Sequence, residues 1–258
     1  MGGELHFQAR MDLRGDSRGE DPSVASPTLR AYHLLLWDKP LPSGRRFALR
    51  DESECGGYLV HESVLDRFSL ASDTCVPRWK TWSHSGLAHL VEPTPPRYER
   101  VAHQMGAMLL MPRNGPGEFR GSSVSQDRAT SGYIADRIDL TLECIRLHYL
   151  QGSRPGGASD NPLSSTLARW ADFFELFEDF AGFVDFFLLD DLLAADGATI
   201  DFFLPFDGFT WWPLPRDAQE YAAYMGRTVS FVEARNGRME AWVAGHRKGA
   251  EHTFALMG

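Results

Sequence analysis

Three charged side chains stand where apolar packing is expected, and their chemistry is that of an anion site. Arg137 and Arg235 fall inside the apolar arcs of two predicted helices, and Asp191 falls between Phe187 and Val184 on the wheel of a third. A charge in such a position needs a partner, a proton or water, because leaving it unpaired is costly. Two guanidinium forks against one carboxylate leave a net positive pocket, and guanidinium planes suit phosphate or carboxylate groups. Thr141 and His148 lie beside Arg137 on its helix, and Asn236 follows Arg235. The expected ligand site is therefore Arg137, Thr141, His148, Asp191, Arg235 and Asn236, where the three helices meet. The competing expectation is a structural Arg–carboxylate pair that fixes helix register.

The elements that must position these residues follow from periodicity. Helices are expected at 28–37, 133–150, 162–178, 181–195 and 216–243, and short strands at 46–50, 57–61, 106–111 and 198–204. On the 133–150 helix, Asp136, Asp139, Glu143 and Arg146 share one arc, which reads as a solvated charged face. Residues 40–44 (PLPSG) read as a turn and 152–161 as a flexible linker. Residues 1–27 are polar and aperiodic and read as a disordered tail. Residues 28–258 read as one α+β domain, β-rich over 28–121 and helical over 133–245. The expected architecture is a small, mostly antiparallel sheet packed against a C-terminal bundle of about four helices. No internal repeat stands out.

Composition bounds the function classes. The chain of 258 residues carries a net charge of -9, which argues against a nucleic-acid partner. Its three cysteines, Cys55, Cys75 and Cys144, are odd in number and lack CxxC spacing. A reducing cytoplasm fits them better than a disulfide framework. No stretch approaches the ~18 consecutive apolar residues of a membrane span, and residues 1–16 do not resemble a signal peptide. The Arg-over-Lys bias is that of a GC-rich bacterial genome. Lysine occurs only at Lys39, Lys80 and Lys248.

Other chemistry-bearing groups are weaker candidates. Cys75, His84, His89 and His103 are metal-ligand types without a zinc-like spacing, so no metal is expected. Cys144 and His148 are i,i+4 neighbours, but nothing supplies an oxyanion hole. The stretch 170–209 holds ten carboxylates, no Lys or Arg, and eleven of the 17 phenylalanines. It reads as a solvated face backed by core. P-loop, dinucleotide, zinc-protease and nucleophile-elbow signatures are absent, and the sequence leaves any cofactor unassigned.

Several segments carry a resemblance. DRIDLTLECIRLHY at 136–149, DFFELFEDFAGFVDFFLLDDL at 172–192, FFLPFD at 202–207 and FVEARNGRM at 231–239 resemble the domain-of-unknown-function 6994 family of uncharacterised bacterial proteins. The likeness extends more weakly back to residue 28. Two departures stand out. SVSQDRATSGYI at 123–134 replaces a segment in which the family tends to carry an Asn and an Arg-Gly pair, and Asp190 replaces a common Gln. The resemblance supports the fold and implies no activity. The functional expectation is a cytoplasmic protein that binds, and as an enzyme would process, a small anionic ligand at the Arg/Asp cluster. The alternative is a non-catalytic module that docks a protein partner on the acidic, aromatic region 170–212.

Overall fold

The computed structural model describes residues 6–52, 58–77, 79, 90, 95–151, 160–210 and 212–255. It is an α+β protein, as the periodicity predicts. In chain order come α1 (Pro22–Ala25), α2 (Pro27–Trp37), β1 (Leu49–Glu52), β2 (Tyr58–Glu62), β3 (Arg67–Thr74), α3 (Pro96–Val101) and β4 (Met108–Arg113). Helices α4 (Val124–Thr130), α5 (Ile138–Gln151), α6 (Ser164–Arg169), α7 (Ala171–Glu175), α8 (Phe180–Phe187) and α9 (Ala218–Ala255) follow. The four strands form an antiparallel meander in the order β1-β2-β3-β4. Among the described residues no helix is long and apolar enough to cross a membrane.

The sheet face that meets the helices is set by register. His61 pairs with both Leu49 and Phe68, and Leu59 pairs with Leu70, so these side chains share one face. That face packs on Phe47 and Phe173, and through them on Phe177, Phe183, Phe186 and Phe187. The aromatic excess of 170–209 thus fills the core. Trp212 remains 59% exposed.

Local chemistry sets the helix ends. Ser26 caps α2 by accepting from the Leu29 N–H, with Pro27 in its first turn. Ser123 and Gln126 form a capping box on α4, within the segment that departs from the family pattern. Two ends fall elsewhere than periodicity suggests. Ala135 and Asp136 adopt positive φ, 52° and 62°, so α5 starts only at Ile138 and Arg137 precedes it. Leu188 is left-handed at φ 55°, which stops α8 and places Asp190 and Asp191 in a following 3-10 turn.

Several expectations need correcting. Residues 6–27 are not a disordered tail. Phe7, Ala9 and Leu13 are buried in the core, Tyr32 Oη donates to the His6 carbonyl, and the Leu13 N–H donates to the His103 carbonyl. The 162–178 helix is broken into α6 and α7, and 198–204 contributes one isolated bridge, Leu193 to Ile200, in place of a strand. β3 was not anticipated, because Ser69, Ser72 and Asp73 obscure its alternation. Asp139 and Glu143, expected on a solvated face, are buried at 0% and 7% exposure. Residues 152–159 of the expected linker, and Cys55, His84, His89 and Trp211, lie outside the described residues.

Candidate functional site

The expected cluster of six residues separates into distinct places. Arg137 forks onto Asp139 with distances of 3.1 and 2.5 Å, and also donates to the Pro213 carbonyl at 2.9 Å. Asp139 accepts in turn from the Phe203 N–H at 2.9 Å. This pair fastens the 203–213 loop to the start of α5. Burial disfavours the Arg137 charge, but Asp139 outweighs it and holds the guanidinium above its ordinary range. Thr141 Oγ1 donates to the Arg137 carbonyl within the first turn. His148 lies in the last turn of α5 against the ring of Phe174, and burial lowers its pKa.

Arg235 is fully buried. Its guanidinium lies 5.8 Å from the Trp37 ring centroid, Asp191 favours its charge without a hydrogen bond, and its hydrogen bonds all go to backbone carbonyls. It donates twice to Phe187 O, at 3.1 and 2.9 Å, and once each to Gly106 O and Met108 O at 2.9 Å. Phe187 ends α8, so the guanidinium completes that helix C-terminus. Burial lowers its pKa to about 10. Asn236 accepts from the Gly106 N–H and donates to Gln104 Oε1. Gly106 is required there, since a Cβ would stand 2.4 Å from the Val232 carbonyl oxygen. Asp191 pairs with Arg238 at 2.7 and 2.9 Å near the surface. Arg137 packs over Tyr224 of α9, which lies about 16 Å along the helix from Arg235 at ~1.5 Å per residue. Arg137, Asp191 and Arg235 therefore do not converge, and each binds protein.

Two cysteine candidates are also closed off. The Cys144 thiol is buried and its pKa is pushed well above the ordinary range. Cys75 is buried and raised to about 11. Among the described residues no three His, Cys, Asp or Glu side chains group to hold a metal ion. Ser72 and His33 lie 2.9 Å apart and invite comparison with a nucleophile–base pair. The tautomer is wrong for it. Trp37 Nε1–H, a donor only, donates a hydrogen bond to His33 Nδ1, so Nε2 carries the ring hydrogen and donates to Ser72 Oγ. Burial and Arg235 together lower His33 to about 3, and it stays neutral.

A site that sequence reading missed lies on the 38–46 loop. Pro40 bridges to Arg46, Gly44 takes φ 77°, and Arg46 forks onto Asp38 at 2.6 and 2.9 Å. The loop seats against α8 because Gly182 has no Cβ, which would meet Pro42 Cγ at 2.9 Å and the Phe177 carbonyl oxygen at 2.2 Å. Lys39 is thereby folded inward to 8% exposure. Its Nζ lies 4.6 Å from the Phe186 ring and 5.2 Å from the Trp37 and Trp242 rings. Among the described residues no acceptor bonds to it. Burial lowers the Lys39 pKa to about 8, with Asp185 opposing and Arg235 assisting. Lys39, Asp185, Phe186, Trp242 and His246 line a cavity of about 440 Å³. Trp242 and His246 continue into a neighbouring cavity that also meets Asp38 and Arg46.

A model for a family of unknown function, DUF6994, matches residues 6–239. The chain belongs to that family. The match covers the packed N-terminal segment, Lys39 and Arg235, while Trp242 and His246 lie beyond it. No curated protein and no solved structure matches the chain. In this DUF6994 member the only signal for Lys39 in the sequence was its rarity, and nothing local announced the rings from α8 and α9 that enclose it.

Proposed function

We propose that this DUF6994 protein binds a small anionic ligand, with Lys39 in place of the arginine pair as the group that recognises it. The observation that carries this reading is a lysine 8% exposed whose ammonium opens on a cavity and has no acceptor among the described residues. An arriving carboxylate or phosphate oxygen would supply the missing acceptor. Asp185 shares the cavity and would accept from a hydroxyl of the same ligand. The faces of Phe186 and Trp242 would cover an apolar or ring-shaped body. The ligand class is therefore a hydroxylated anion, such as a hydroxy acid or a sugar phosphate. The protein is proposed to act in the cytoplasm.

Calorimetric titration of purified protein with hydroxy acids and sugar phosphates at pH 7 tests this. A saturable signal is expected, lost in Lys39→Met. Affinity should fall as pH rises through about 8, where Lys39 gives up its proton. Silence across both ligand classes, or binding unchanged in Lys39→Met, would overturn the reading. A partner docking on 170–212 would then gain weight, and it would meet Trp212 and surface carboxylates, with the phenylalanines inside.

A further inference from the structure

A second cavity of about 360 Å³ lies on the other side of the same loop, between the β2–β3 turn and α7. It shares Leu41 and Arg46 with the cavities near Lys39. Its wall includes His61, which is 1% exposed and held between Phe47, at 4.0 Å, and Phe68, at 6.4 Å. His61 Nδ1 lies 3.0 Å from the Ala48 carbonyl oxygen. A carbonyl only accepts, so Nδ1 carries the hydrogen, and in the neutral ring Nε2 is left as an acceptor. That Nε2 is buried and has no hydrogen-bond partner. Burial lowers the His61 pKa, which keeps the ring neutral and Nε2 accepting. A buried acceptor left unmade costs about 1–3 kcal/mol, which a ligand donor would recover.

The rim supplies the complementary charge. Glu62, Glu175 and Glu178 line the opening. Glu62 is already paired with Arg50 and Arg67. Glu175 and Glu178 have no ion pair among the described residues. Of the two arginines at the rim, Arg46 is committed to Asp38, which leaves Arg45 against two free carboxylates. Glu178 is also held at φ 66°, in the turn between α7 and α8. The walls are apolar: Leu41, Val64, Leu65 and Leu176. Val64 and Leu65 are 78% and 48% exposed at the turn, apolar surface with nothing packed over it.

From these features we infer that this cavity binds a small organic cation, an ammonium or guanidinium on an apolar body, donating N–H to His61 Nε2 and neutralised by Glu175 and Glu178. The site is independent of the Lys39 reading and of opposite charge preference. Titration with phenethylamine hydrochloride at pH 7, followed by calorimetry, tests it, with neutral 2-phenylethanol as the control. Saturable binding of the amine is expected, at least tenfold tighter than the alcohol. Glu175→Gln/Glu178→Gln changes only exposed side chains and is expected to weaken amine binding tenfold or more. His61→Phe, which keeps the ring stack and removes the acceptor, is expected to do the same. Should His61→Phe fail to fold, the double Gln variant carries the test alone. Absence of saturable amine binding to the folded wild type, equal binding of amine and alcohol, or unchanged binding in the double Gln variant would each overturn the inference.

Discussion

The buried cations among the described residues fall into two groups, those answered by protein groups and one that is not. Arg128, Arg137 and Arg235 are each 1% exposed or less, and every one is answered by protein. Arg128 meets Asp136 and Asp73, Arg137 meets Asp139 and two carbonyls, and Arg235 meets three carbonyls. Lys39 is buried nearly as well, yet rings surround its ammonium, no acceptor among the described residues bonds to it, and it borders empty volume. Burial by itself does not mark a site. The proposed ligand site rests on an unanswered charge beside a cavity, whose desolvation is not repaid within the fold.

The largest way to break this comparison is to remove an answered charge. Arg235→Leu leaves the Phe187, Gly106 and Met108 carbonyls without their donor, and Arg137→Ala leaves the buried Asp139 carboxylate with only the Phe203 N–H to answer it. Each is expected to cost about 3–5 kcal/mol in urea unfolding. Replacing both partners, in Arg137→Leu/Asp139→Leu, should recover part of the Arg137→Ala loss. Equal losses in the single and double variants would show that the pair's charges do not matter to each other.

Acid should act on the neutral, buried His33. Its pKa is about 3 in the fold against 6.5 for an ordinary histidine, so below pH 6.5 the unfolded chain binds the extra proton. Stability is fully present above pH 6.5 and declines as pH falls towards 3. The His33 share is on the order of 5 kcal/mol, at about 1.36 kcal/mol per pKa unit. Urea midpoints across that range measure it. A His33→Phe variant should show a shallower decline, and an identical slope would contradict the assignment.

A smaller effect is expected where the loop seats on α8. Gly182→Ala sets a Cβ against the Phe177 carbonyl and Pro42, and should cost about 1–3 kcal/mol by overpacking. It should also weaken ligand binding at Lys39, because the loop that carries Lys39 must move away. Unchanged affinity in that variant would detach the loop from the site.

Much of the frame was legible in the sequence. β2 and α2 fall within a residue or so of expectation, since alternation and a Ser-Pro cap are local signals. The burial of Arg137 and Arg235 was also legible, because both interrupt apolar arcs. Their partners were not. A helical wheel assumes a continuous helix, and left-handed residues at Ala135, Asp136 and Leu188 broke that continuity and turned Asp191 towards Arg238. Lys39 was hidden for another reason. The rings around it come from Trp37, Phe186 and Trp242, which only tertiary packing brings together.

The most direct test of the claim that Lys39 serves a ligand at the fold's expense is the urea unfolding midpoint of Lys39→Met beside wild type at pH 7, without ligand. Lowering the lysine from 10.5 to about 8 means that below pH 8 the fold carries the full penalty of a desolvated ammonium, relieved only as pH rises towards 10.5. Lys39→Met is expected to be more stable than wild type, by about 1–3 kcal/mol. A variant less stable than wild type, as expected for Arg137→Ala, would place Lys39 among the structural charges and contradict the account.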